Sequence, residues 1–72
     1  MSFQAYMDNV EAKTGKSPED LQAIAIEKGL ADAEGLARGI KAGAIIDWLK
    51  ADYHLGHGHA MSIVAWIKGK RN

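Results

Sequence analysis

Glycine residues divide this chain into segments that are each about as long as one short helix. The separators are Gly15, Gly29, Gly56, Gly58 and Gly69. Because glycine adopts the left-handed conformation without steric cost, it commonly ends helices. Within the segments, apolar residues recur at intervals of three and four, the period of a helix with one buried face. This combination predicts several short helices around one shared core.

Two helices are predicted in the first half of the chain. The first begins after an N-cap at Ser2 and stops at Gly15. The second begins at Ser17-Pro18-Glu19-Asp20, where a hydroxyl cap precedes proline and two acidic residues, and it stops at Gly29. Ile26 lies more than a quarter turn from the apolar face of this helix, so it is expected either at the surface or against a neighbour. The expected core positions of these two helices are Phe3, Tyr6, Met7, Val10, Leu21, Ile24, Ala25 and the aliphatic stem of Lys28.

Two further helices are predicted in the second half, one from about Lys41 to Tyr53 and one from near Gly58 to just before Gly69. Their expected core positions are Ala42, Ile45, Ile46, Leu49, Tyr53, Ala60, Ile63, Val64 and Ile67. The last helix is apolar around most of its circumference. Such a helix either lies at the centre of its domain or is half-covered by a partner.

Residues 29–40 contain three glycines and predict a connection, with room for one helical turn around residues 33–37. No segment combines apolar/polar alternation with a run of β-branched residues, so no strand is expected. The predicted fold class is all-α: one small domain, residues 1–72, forming a compact bundle of four short helices. The first two helices are expected to form one helical hairpin and the last two another.

Three large side chains flank the predicted core faces and form a candidate interaction surface: Trp48, Met61 and Trp66. Exposed apolar patches of several hundred Å² often mark contact sites for partners. The alternative for the two tryptophans is ordinary packing in the core. Both interpretations stay open at the level of the sequence.

Composition argues against several classes of function. The chain has no cysteine, which excludes disulfides and cysteine-based zinc sites. A formal net charge of zero argues against a nucleic-acid partner or a membrane surface as a target, since such binders usually carry excess positive charge. The longest apolar run, residues 63–67, is far shorter than the roughly 20 residues that span a bilayer, and the first residues lack the features of a secretory signal. A cytoplasmic location is therefore expected.

The balanced net charge conceals an asymmetry between the two halves. Residues 1–36 carry three lysines against seven acidic residues, a charge of −4, whereas residues 37–72 carry six cations against two acidic residues, a charge of +4. Either the two halves face each other or the charges are simply solvated. The alternative is a basic face, led by residues 68–72, for an acidic partner.

The segment His54-Leu55-Gly56-His57-Gly58-His59 is the one place where chemistry is suggested. His54, His57 and His59, with Asp52 as a fourth ligand, could supply a zinc, nickel or copper site, although their spacing matches no established zinc motif.

A second hypothesis for the same turn is binding of an anion or of a nucleic-acid backbone phosphate by Gly56, His57, Gly58 and His59, since free N–H groups at a helix start attract anions. The alternative to metal binding and to anion binding is a structural role, in which the glycines permit a tight turn and the histidines cap helix ends. No cofactor is assigned.

Catalysis has little support from the residues. Ser2 and Ser17 are explained as helix caps, and Ser62 lacks the flanking glycines of a nucleophile elbow. A domain of this size also has little volume for a substrate cleft. We therefore expect a protein that is not an enzyme.

Several motifs together resemble the bacterial domain-of-unknown-function family 4287. They are Ser2-Phe3-Gln4-Ala5-Tyr6, Thr14-Gly15-Lys16-Ser17-Pro18-Glu19-Asp20, Lys41-Ala42-Gly43, Asp47-Trp48-Leu49-Lys50, Leu55-Gly56-His57-Gly58-His59-Ala60-Met61 and Ile63-Val64. At position 54, histidine stands where the family pattern more often has glycine. The resemblance implies a small bacterial cytoplasmic domain without an established activity. The expected function is a non-enzymatic protein-interaction module, with an unknown protein or a second copy as partner, and small-ligand binding at the Gly-His-Gly-His turn is the alternative.

Overall fold

Four helices account for most of the computed structural model, which describes residues 2–70. The elements, in chain order, are α1 (Phe3–Thr14), α2 (Pro18–Glu27), β1 (Ala31–Asp32), β2 (Gly35–Leu36), α3 (Ala42–Tyr53) and α4 (His57–Ile67). The four predicted helices are confirmed, and their bounds lie within one or two residues of those expected. Arg71 and Asn72, which end the predicted basic tail, lie outside the described residues.

The first two helices start as their sequences predict. The hydroxyl of Ser2 accepts a hydrogen bond from the Ala5 N–H at 3.2 Å. Ser17 accepts from the Asp20 N–H at 3.1 Å, and the Asp20 carboxylate accepts from the Ser17 N–H at 3.3 Å. This reciprocal capping box satisfies amide groups that the helix itself leaves without partners.

Left-handed residues end α1 and follow α2 and α4, and these residues are the predicted glycines. Gly15 has a φ of 73°, Gly29 a φ of 80° and Gly69 a φ of 114°. The same role at the end of α3 falls to His54, with a φ of 56°. His54 is the non-glycine residue with a positive φ in the described chain, and L-residues adopt that conformation only at a cost.

The connection between α2 and α3 contains a hairpin, and here the prediction of no strand is wrong. Strands β1 and β2 pair antiparallel, with Ala31 opposite Leu36 and Asp32 opposite Gly35. The Asp32 carboxylate accepts a hydrogen bond from the Glu34 N–H at 2.8 Å and fixes the turn. Strands of two residues are too short to show alternation, so backbone geometry rather than apolar pattern makes this sheet. The fold is therefore mostly helical but not strictly all-α, and the helical turn considered for residues 33–37 is absent.

The core lies around α4, which packs against α3, α1 and α2. The α3–α4 pair is close, as predicted, whereas α1 packs more extensively on α4 than on α2, so the first two helices form the weaker pair. Lys28 is exposed, and its Nζ lies near the Trp48 ring, which fits a stem that follows apolar surface while the charged head stays in water. The buried apolar residues are Met7, Val10, Leu21, Ala25, Ala31, Ile45, Ile46, Leu49, Leu55, Ala60, Ile63, Val64 and Ile67.

No helix formed by residues 2–70 combines the length and the apolar character needed to cross a membrane.

Candidate functional site

A groove runs between α1 and the second half of α4, and we call it the α1–α4 groove. It encloses about 260 Å³ and is lined by Phe3, Tyr6, Met61, Ser62, Ala65 and Lys70. Residues three and four apart share one side of a helix, which places Phe3 and Tyr6 on one wall and Met61 and Ala65 on the other. The walls are therefore mostly apolar.

Met61 gives the groove its accessible apolar surface. Its side chain is 47% exposed, and among the described residues the other large apolar side chain at the surface is Ile26, at 44%. The unbranched thioether of methionine adapts to irregular partners, so methionine is favoured at contact surfaces that must fit side chains of varied shape.

A cation closes one end of the groove. After Gly69, the Lys70 N–H donates a hydrogen bond to the Ala65 carbonyl at 2.9 Å, which folds the chain back along the end of α4. The Lys70 Nζ then lies 5.3 Å from the centroid of the Phe3 ring, within the range of a cation–π interaction. The groove thus combines apolar walls with a positive end.

The three residues of the predicted interaction surface do not form one patch. Trp66 stacks on Phe3, with ring centroids 6.5 Å apart. It lines a second, more acidic cavity of about 230 Å³ rather than the α1–α4 groove that Met61 lines. Trp48 borders neither cavity, because its ring lies against Tyr53 at 5.9 Å with the Lys28 Nζ 6.0 Å from its centroid.

The structure does not bring the histidines of the predicted metal site together. His54 and His57 are exposed, at the end of α3 and the start of α4, whereas His59 is half-buried with its ring edge-on to Tyr6 at 5.2 Å. His57 and His59 lie two positions apart on a helix, so their side chains project to different sides. Residues 2–70 contain no group of three histidine or acidic side chains that could hold a metal ion, and this covers Asp52 as well.

The anion hypothesis finds only part of its geometry. Gly56 is the N-cap of α4, and because glycine has no side chain it makes no capping hydrogen bond to the first amide groups of the helix. Neither His57 nor His59 acts as the expected cap. With His59 turned toward Tyr6, His57 is the exposed imidazole of that first turn. Anion binding at residues 56–59 stays a prediction.

The α1–α4 groove does not follow from the sequence pattern. That pattern assigns Phe3 and Tyr6 to the core, and Lys70 to a basic tail. The available signal is that Met61 flanks the apolar stripe of α4, but periodicity within one helix does not tell which neighbour lies beside it. The groove results from the way in which α1 and α4 pack.

The chain was compared with protein families, with curated proteins and with solved structures, and it matches a family only. No curated protein and no solved structure matches the chain. A family model described as "Domain of unknown function (DUF4287)" matches residues 2–69, nearly the whole chain. The capped start of α2 and the turn into α4, which carry the resemblance, both lie within this match. The chain therefore belongs to the DUF4287 family.

Proposed function

We propose that this domain is a non-enzymatic protein-interaction module whose contact surface is the α1–α4 groove. The observation that supports the proposal best is the 47% exposure of Met61 in a groove whose other walls are largely apolar. Fully burying a methionine side chain contributes about 1.5–3 kcal/mol, and Met61 is 47% exposed, so a partner that covers the rest gains roughly half of that. The family resemblance also implies a bacterial cytoplasmic setting, in which we expect the partner.

The size of the groove favours a side chain as its occupant. Pockets for drug-sized ligands and cofactors enclose roughly 300–1,000 Å³. The groove, at about 260 Å³, has space for one large apolar side chain of a polypeptide. Lys70 at its end favours a polypeptide with a carboxylate close to that side chain.

Methyl NMR tests this function directly. The domain is labelled with ¹³C at the methionine methyl groups and titrated with a helical alanine-rich peptide that carries one isoleucine flanked by glutamates. We expect a saturable shift of the Met61 methyl signal and none for Met7, which is 2% exposed and reports on the core. A matched peptide with alanine in place of isoleucine should produce a much smaller shift.

Two results would count against the proposal. One is a Met61 signal that does not move at millimolar peptide. The other is an equal shift with the alanine peptide, which would show that no apolar side chain enters the groove. A third peptide, with lysines in place of the glutamates, tests the role of Lys70 and is expected to bind more weakly at low salt.

A further inference from the structure

The outward face of α2 carries an apolar side chain among acidic ones. Its exposed residues are Glu19, Asp20, Ala23, Ile26 and Glu27, and we call them the α2 ridge. At about 100° per residue they occupy roughly one third of the circumference of the helix. The buried residues Leu21 and Ala25 lie on the opposite side, which is why Ile26 points away from the core.

The α2 ridge and the α1–α4 groove are complementary in shape and in charge, since one protrudes and is acidic and the other is concave with a cation at one end. Ile26 and Met61 are the large apolar side chains at the surface of the described chain, and they lie on different elements. Three carboxylates accompany Ile26 on the ridge. The groove, by contrast, is lined by Lys70 and by no acidic residue. The ridge therefore supplies an apolar side chain and negative charge, and the groove supplies a concave apolar surface and positive charge.

We propose that the partner of the groove is a second copy of this chain, whose α2 ridge docks with Ile26 in the α1–α4 groove. This inference rests on the proposed function of the groove and names its occupant. The isoleucine side chain is of the size that about 260 Å³ accepts. Glu27, the next residue, and Glu19, two turns earlier, are both exposed and add negative charge beside Ile26, which favours the cationic end of the groove.

The contact joins two unlike surfaces, so it is compatible with two kinds of assembly. When two copies exchange ridges reciprocally about a two-fold axis, a closed dimer with two equivalent contacts forms; when they do not, the contact repeats from molecule to molecule. A contact built on one side chain and a few charges is small, so the association depends on concentration. Because part of the attraction joins opposite charges, added salt weakens it.

Complementary variants test the inference. Ile26→Glu removes the apolar residue of the ridge and keeps the groove, whereas Met61→Glu blocks the groove and keeps the ridge. Both positions are exposed on helices, so both variants should fold, which circular dichroism verifies. In sedimentation-velocity runs we expect each variant alone to dissociate at concentrations where the wild type associates, with a dissociation constant raised about tenfold or more.

The mixture of the two variants gives the most specific result. It holds one working groove and one working ridge, so we expect a one-to-one dimer and no larger species. Since the mixed pair keeps one contact, it is run up to millimolar concentration; a mixture that is still monomeric there contradicts the inference, and so does either variant that associates like the wild type. Ala51→Glu, at an exposed position of α3, is the matched control and should associate normally.

Charge reversal provides a second readout. Glu27→Lys and Lys70→Glu should each weaken association. Mixing the two should restore part of it, because the lysine introduced in one variant then faces the glutamate introduced in the other. If the wild type is strictly monomeric at millimolar concentration in low salt, the second copy is excluded as partner. In that case a shift of the Met61 methyl with the acidic peptide would still support the groove, whereas no shift would remove both proposals.

Discussion

His54 shows how a single residue can differ from what its position requires. The end of α3 needs a left-handed residue, and histidine fills that place with an exposed side chain. We expect His54→Gly to raise the free energy of unfolding by up to about 1 kcal/mol, because relief of backbone strain exceeds the entropy that glycine adds to the unfolded chain. Urea denaturation measures the change.

The matched control for this prediction is Gly15→Ala. Gly15 has a φ of 73°, and a Cβ there would meet no atom within 4 Å, so the substitution adds backbone strain alone. It should lower the free energy of unfolding by about 1 kcal/mol. Loss of stability in His54→Gly would contradict the strain argument and indicate a stabilising contact of the imidazole. The glycine ends were predictable because glycine is the common residue there, and the left-handed histidine was not.

At the level of whole elements, the start of α2 is the best-specified feature of the chain. Ser17→Ala removes the oxygen that accepts from the Asp20 N–H and should destabilise the domain by about 1 kcal/mol. Ser62→Ala is the comparison, since that hydroxyl donates to the Gly58 carbonyl within α4 and caps no helix end. It should change stability by less than about 0.5 kcal/mol. Equal effects in thermal unfolding would argue against the capping box as the cause.

The β1–β2 hairpin is the element that the sequence did not reveal. Its information lies in the Asp32 turn and in Gly35, whose φ of 140° is rarely open to other residues, rather than in any apolar alternation. Helix periodicity, by contrast, predicted the buried face of α4 fully: Ala60, Ile63 and Val64 are all in the core. The sequence of this chain therefore predicts its long periodic helices but not its two-residue strands.

At the scale of the whole molecule, stability depends on α4, which contacts the other three helices. Ile63 is fully buried there, and Ile63→Ala should cost about 2–5 kcal/mol, enough to unfold much of a domain with so small a core. Ile26→Ala, at a position 44% exposed, should cost less than about 1 kcal/mol. Similar urea midpoints for the two variants at low protein concentration would contradict a central position of α4.

The groove also depends on how whole helices pack against each other. For this reason the sequence predicted the surface position of Met61 but not the residues beside it. The flanking position of Met61 on α4 follows from the period of one helix, whereas its proximity to Tyr6 depends on how α1 and α4 pack. The histidines illustrate the reverse case. They are close in sequence, yet the helix start separates the directions of their side chains, so sequence proximity did not become a metal site among the described residues.

Among the described residues, the two methionines differ in exposure, so they differ in their accessibility to oxidants. Peroxide reaches the thioether of Met61 readily, whereas Met7, at 2% exposure, is shielded by the core. Oxidation of Met61 to its sulfoxide converts an apolar side chain of the groove into a polar one and leaves the buried core unchanged. We therefore expect oxidation of Met61 to weaken the binding proposed for the groove, and methionine sulfoxide reductases to reverse that loss.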